Sequence, residues 1–371
     1  MLQAGADSKA RAAALRTLAA ARPANLDLWR SLAELELLNK NYVGAVAAYR
    51  KALAIDKTSV AMWNQLGYAQ AFGGDLNSSK ASFEEYRRLA PDDANAVDSL
   101  GEVHFRSGRF EEAESYFLDA FNRNNALIGG GDLYRAAVSR LLMGDQNKAN
   151  DHFRRYLDFR KKAGDPLTPV REAIWRFSTG GRKEALASLR ANPHPASQFM
   201  LALYLLQMGD AASALELARR LPLPQMAATI TALARPQVTT ARDNPDLRGY
   251  SLLLNRKFSE AVPFWRQLYD RTPATSASEE QFFLAWALME SGQESAAAPL
   301  LETWPMPPAA PEPSLDGIVF PRVLFFKARA EAHAGRRAEA ARYYKLFLQY
   351  SGDLSLAFDE ESRARYALAG S

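Results

Sequence analysis

The sequence predicts an all-α fold of repeated antiparallel helix hairpins, and three observations predict it. The first is a pattern that recurs at a fixed interval. Trp29-x2-Leu32-Ala33 is followed by Ala45, Tyr49 and Ala52. The pattern starts again at Trp63-x2-Leu66-Gly67, with Ser79, Phe83 and Tyr86 at the same offsets. After an equal interval it starts a third time at Val97-x2-Leu100-Gly101, with Ala113, Phe117 and Ala120. The second is the spacing inside each unit, where the large residue, the Leu and the small residue stand at i, i+3 and i+4 and share one helix face. The third is punctuation. Asn39-Lys40-Asn41, Gly73-Gly74-Asp75 and Ser107-Gly108-Arg109 separate the two apolar stripes of each unit with turn-forming residues.

Each repeated residue type has a physical reason. The small residues Ala33, Gly67 and Gly101 let the paired helix approach closely, and the aromatics Tyr49, Phe83 and Phe117 fill the space between successive hairpins. One hairpin cannot bury its own apolar face, so the units must stack. The interval of about 34 residues, with its large residue, Leu-small pair and following aromatic, resembles the tetratricopeptide repeat. The resemblance is strong over Leu26–Leu157 and Arg248–Gln349 and weak between them. It implies a right-handed superhelical solenoid, TPR-like, with an irregular, proline-interrupted middle.

Taken in order, residues 1–25 read as a partial N-terminal repeat or capping helix, about Ser8–Ala21, with Leu15 and Leu18 as apolar points and Pro23 beyond its end. It resembles the second helix of a preceding hairpin, so a further repeat, a signal or an anchor upstream is the expectation. Residues 26–163 form the regular array; its fourth hairpin, Asp132–Lys162, is aligned by Leu133, Ala136-Ala137, Gly144, Ala149, Phe153 and Tyr156. The triple glycine Gly129-Gly130-Gly131 before it lacks a Lys-Ser/Thr ending and a preceding strand, and reads as a connector rather than a phosphate loop. Residues 164–244 hold two degenerate hairpins (Thr168–Ala191 and Pro195–Leu221) and an irregular connector with Pro222, Pro224 and Pro236, running to Pro245 and carrying a short helix near Met226–Ala234. Prolines break continuous stacking, which marks this connector as a hinge or boundary. Residues 245–350 return to the pattern in hairpins at Pro245–Thr272, Ser278–Thr303 and Pro321–Tyr350, with a proline-rich insertion over 305–321. Residues 351–371 form a C-terminal capping helix and tail, the helix at about Leu354–Ala369, with Asp359, Glu360, Glu361 and Arg363 expected to face outward.

Composition narrows the function. The chain has 371 residues, 48% of them hydrophobic, and a formal net charge of +4 from 46 Lys plus Arg against 42 Asp plus Glu. No apolar run approaches the roughly 18 residues that cross a bilayer, so a soluble protein of cytoplasm or periplasm is expected, with no membrane span. Arg154-Arg155 and Arg160-Lys161-Lys162 are short and lie on a helical pattern, so no nucleic-acid footprint is present. With no cysteine, disulfides, thiolate metal sites and cysteine nucleophiles are excluded. His104, His152, His194 and His333 fall in separate hairpins, and no hydrolase, Walker or metal-ligand spacing occurs, so neither catalysis nor a cofactor or metal is expected. Asp75, Asp145 and Asp210 each follow a glycine at a turn, where a side-chain oxygen caps the next helix.

The resemblance implies that the first helices of the hairpins line a concave groove. Its residues should stand one, five and eight to nine places after each repeat's large anchor. That rule names Arg30, Glu34, Leu37 and Leu38; Asn64, Tyr68, Ala71 and Phe72; Asp98, Glu102, Phe105 and Arg106; then Tyr134, Phe199, Tyr250, Phe282, Trp286 and Phe325. An aromatic-lined groove suits an extended or helical peptide with apolar anchors. The clamp with which some relatives grip the acidic C-terminal tails of chaperones is not expected. At its places stand Arg30, Glu34, Gln65, Asn95 and Ser99, where Glu34 repels a carboxylate and the third repeat supplies no cation. The function expected is therefore a non-enzymatic scaffold or adaptor that binds a peptide or protein segment. The alternative is a regulatory or assembly portion of a larger bacterial-type envelope or signalling protein, acting by self-association as a homo-oligomer.

Overall fold

The turns foreseen at Asn39–Asn41, Gly73–Asp75 and Ser107–Arg109 each join two helices, and every regular element among the described residues is helical. The computed structural model describes residues 2–235, 245–272, 278–308, 310–314, 319–352, 356 and 359–370. The chain divides into two units, Met1–Met143 with Thr272–Ser278, and Gly144–Arg271 with Glu279–Ser371. The later part of the expected connector, residues 236–244 with Pro236, falls outside the described residues.

The first unit contains α1 (Leu2–Ala21), α2 (Leu26–Leu38), α3 (Tyr42–Ile55), α4 (Val60–Phe72), α5 (Leu76–Leu89), α6 (Ala94–Arg106), α7 (Phe110–Arg123) and α8 (Gly131–Met143). Helices α2/α3, α4/α5 and α6/α7 are the three regular hairpins, and each packs on the next along the chain. The repeat extends to hydrogen bonds: Trp29 Nε1 donates to the Pro23 carbonyl at 3.0 Å, and Trp63 Nε1 donates to the Lys57 carbonyl at 2.9 Å. Each indole thus pins the loop that leads into its own helix. Asn41, Asp75 and, in the second unit, Asp145 and Asp210 accept the backbone N–H three residues on, so the three aspartates cap as expected.

The second unit contains α9 (Gln146–Lys162), α10 (Thr168–Ser178), α11 (Arg182–Ala191), α12 (Pro195–Gln207), α13 (Ala211–Ala218), α14 (Pro224–Ala234), α15 (Pro245–Leu254) and α16 (Phe258–Arg271). It continues with α17 (Ser278–Glu290), α18 (Glu294–Ala297), α19 (Arg322–His333), α20 (Arg337–Ser351) and α21 (Glu360–Ala369). The second helix expected after α17 is reduced to α18 and a 3-10 turn at Ala298–Leu301, because Pro299 offers no N–H to continue an α ladder. Aromatic rings fill the core: Trp265 lies 4.8 Å from Tyr250 and 4.7 Å from Phe283, and Phe153 stacks on Trp175 at 4.3 Å. The described part of the proline-rich insertion is tied to α10, where Arg171 Nη1 donates to the Pro311 carbonyl at 3.0 Å and pairs with Glu312 at 2.7 Å.

The C-terminal helix departs from its expected orientation. Glu360 and Glu361, expected to face outward, are buried. Arginines of other helices supply the partners that make this tolerable, since buried charge must be paired.

Candidate functional site

In the first unit the structure brings together the residues named from the second, third and fourth repeats. Tyr68 on α4 places its Oη 3.2 Å from Ser99 Oγ on α6, and Ser99 Oγ lies 3.5 Å from Asn64 Oδ1. Phe72, one turn beyond Tyr68, stacks against it with ring centroids 5.8 Å apart and carries the Arg106 guanidinium 5.2 Å above its ring. Asn64, Tyr68, Phe72, Glu102 and Tyr134 are half-buried, so each keeps part of its side chain at the surface.

Beneath them lies an ionic floor. Arg135 on α8 donates to Asp98 at 2.9 Å and pairs with Glu102 at 3.0 Å, both on α6. The Asp132 side chain is buried beside Asp98, with no donor within hydrogen-bonding distance of either carboxylate oxygen. Burial first, and the Asp98 carboxylate second, push the Asp132 carboxyl up to about 8, so at neutral pH it is mainly protonated. Burial likewise raises Glu102, against the pull of Arg135, and holds the Tyr68 phenol well above the ordinary tyrosine range with help from Glu102.

The remaining named residues are dispersed. Arg30 and Glu34 are exposed on α2, where Arg30 pairs with Asp27 at 3.0 Å, and Leu38 beyond them is 60% exposed. Phe105 is buried against Phe110. In the second unit Phe199, Tyr250, Phe282, Trp286 and Phe325 are all buried in its core. Phe282 and Trp286 pack on Phe326 at 6.0 and 5.8 Å. A signal for this was present: Phe199–Leu206 and Phe282–Met289 are apolar almost all round, the mark of an enclosed helix rather than of a helix with one open face. Asp132 and Arg135 were missed because they sit beside, not on, the positions that the repeat rule selects.

On the opposite stripe of α4, a cleft of about 490 Å³ is lined by Leu53, Trp63, Leu66, Gln70, Ser82 and Glu85, among others. It lies toward the second helices α3 and α5, away from the Tyr68–Phe72 stripe.

Stacked hairpins with a repeated Leu-small and aromatic pattern define a helical-repeat protein. Two profiles of the tetratricopeptide repeat match it, one over residues 7–60 and 64–126 and one over residues 133–159. Over those residues the chain is built of tetratricopeptide repeats. No curated protein matches the sequence. Among solved structures it is similar to MamA at 17% identity with a TM-score of 0.39, over 44% of this chain and 94% of that one. It is similar to the Cut9–Hcn1 hetero-tetramer of the APC/C at 13% identity and a TM-score of 0.41, over 93% and 83% of the two chains. A tetratricopeptide repeat protein from Parabacteroides merdae is similar at 13% identity and a TM-score of 0.27, over 84% and 97%. Among the described residues no helix is long and apolar enough to cross a membrane.

Proposed function

We propose that the chain is a non-enzymatic scaffold that binds a protein segment across the first-helix face of the first unit, from Arg30 and Glu34 to Tyr134. The convergence of partly exposed Asn64, Tyr68 and Phe72 over the Asp98–Arg135–Glu102 floor carries this reading. Two adjacent aromatic rings offer apolar area at little rotamer cost, and Asn64 and Ser99 offer directional hydrogen bonds beside them. The ion pairs tie α6 to α8 and hold the face in one geometry before a partner arrives, which lowers the entropy lost on binding. The acids of the floor are matched by Arg106 and Arg135, so apolar anchors rather than net charge select the segment. Phe199, Tyr250, Phe282 and Trp286 take packing roles and are left out of the face.

A photo-crosslinking residue placed at Asn64, and separately at Val43 on the exposed side of α3, tests the proposal in cells. Adducts formed from Asn64 and not from Val43, which is 84% exposed, are expected. Adducts from Val43 alone, or from neither position, would overturn it.

A further inference from the structure

The C-terminal helix is held to the second unit by charge. Glu360 accepts from Arg322 Nε at 2.6 Å, and Glu361 accepts from Arg182 Nη1 at 3.3 Å. The two arginines stand far apart in the sequence, at the start of α19 and of α11, and both are buried. Each is set on an aromatic ring: the Arg322 guanidinium is 4.6 Å above Trp286, and that of Arg182 is 5.5 Å above Phe177. Two core helices therefore present two guanidinium groups, stacked from below and offered to carboxylates. Further along α21, Arg363 donates to both oxygens of Glu290 on α17 at 3.0 Å.

The helix itself contributes little apolar anchoring. Its buried residues are Glu360, Glu361 and Ala364, and Tyr366 is 84% exposed, although Leu356 ahead of it is buried. A buried ion pair roughly offsets its own desolvation, whereas buried leucines would hold a permanent cap more firmly. The sockets belong to rigid core helices and the ligand to a helix held mainly by charge. That asymmetry is what an exchangeable occupant requires.

We propose that Arg182 and Arg322 form a receptor for paired carboxylates that the C-terminal helix occupies in cis, and that a partner helix beginning Glu-Glu-x-Arg displaces it. The partner's two acidic residues enter the arginine sockets and its basic residue meets Glu290. The site lies wholly within the second unit and is independent of the face proposed for the first.

The test uses the full chain and a fluorescent peptide of residues 356–371. The Glu360→Gln/Glu361→Gln variant is expected to bind this peptide at least about tenfold more tightly than the wild type, since its own helix no longer competes. The same peptide with both glutamates replaced by glutamine should not bind. Equal affinity for the two chains, or equal binding of the neutral peptide, overturns the proposal. Hydrogen exchange on the wild type decides the matter if the variant fails to fold. Amides of α21 exchanging together and far faster than those of α19 are expected, and exchange of both only through global unfolding overturns it.

Discussion

A methyl group placed on Gly67 would stand 2.5 Å from Cε1 of Phe83, the aromatic of the paired helix. Phe83 is buried in a cluster with Leu100 and Val103 of the following hairpin, so it has little space to retreat. The same contact recurs between Gly101 and Phe117 at 2.6 Å and, in the second unit, between Gly249 and Trp265 at 2.8 Å. Gly67→Ala gains about 1 kcal/mol of helix propensity and meets an overpacking cost of about 1–3 kcal/mol. The first repeat carries Ala33 at this place, buried in one cluster with Tyr49, so a methyl is tolerable where the neighbours are built for it. The expected result is a loss of up to about 2 kcal/mol in urea unfolding, the difference between those terms. A variant more stable than the wild type would show that Phe83 yields freely.

The raised carboxyl of Asp132 makes stability depend on pH. Asp132 titrates near 4 in the unfolded chain and at about 8 when folded, raised by burial and by Asp98. Its contribution is fully present below the unfolded value and is lost as pH rises through the folded one. Asp132→Asn keeps an N–H donor for Asp98 and removes the titration. The variant should match the wild type near pH 4 and exceed it by up to about 5 kcal/mol near pH 8, since each tenfold change in proton affinity is worth about 1.4 kcal/mol. Melting temperatures of variant and wild type that run in parallel from pH 4 to 8 would refute the raised Asp132 carboxyl.

The caps give smaller and local effects. Asp75 accepts the Ser78 backbone N–H at 3.0 Å, and the Ser78 side chain also holds its carboxyl below the ordinary range. The contribution is therefore present above the unfolded value and lost as pH falls through the depressed one. Asp75→Ala is expected to cost about 1 kcal/mol at neutral pH, and Asp75→Asn only a fraction of it. Chemical denaturation at one pH compares the two, and an equal loss would assign the effect to charge rather than to the cap bond.

The hairpins were legible because their cause is periodic. A small residue beneath an aromatic, recurring at one fixed interval, constrains both sequence and packing at once. The exposure of individual side chains was not legible, because it depends on neighbours that the period does not name. Tyr68 and Trp286 stand at comparable places in their repeats, yet Tyr68 keeps a wet edge and Trp286 is enclosed by Phe282, Phe326 and Arg322. The burial of Glu360 and Glu361 was equally hidden, since only the convergence of Arg322 and Arg182 makes it tolerable.

That contrast separates stability from binding. Trp286 is 1% exposed, and removing its indole both opens a large cavity and takes the aromatic floor from Arg322. Trp286→Ala should cost about 3–5 kcal/mol, the range for large aromatic truncations in a core. Tyr68→Ala/Phe72→Ala removes rings that are less buried than Trp286, so less apolar area is uncovered and the fold should persist. Calorimetry read beside the Asn64 crosslinking yield distinguishes the two. The Tyr68/Phe72 variant should melt close to the wild type while losing its adducts. If it lost stability as Trp286→Ala does, the rings would belong to the core, and the binding face would have to be sought elsewhere on the first unit.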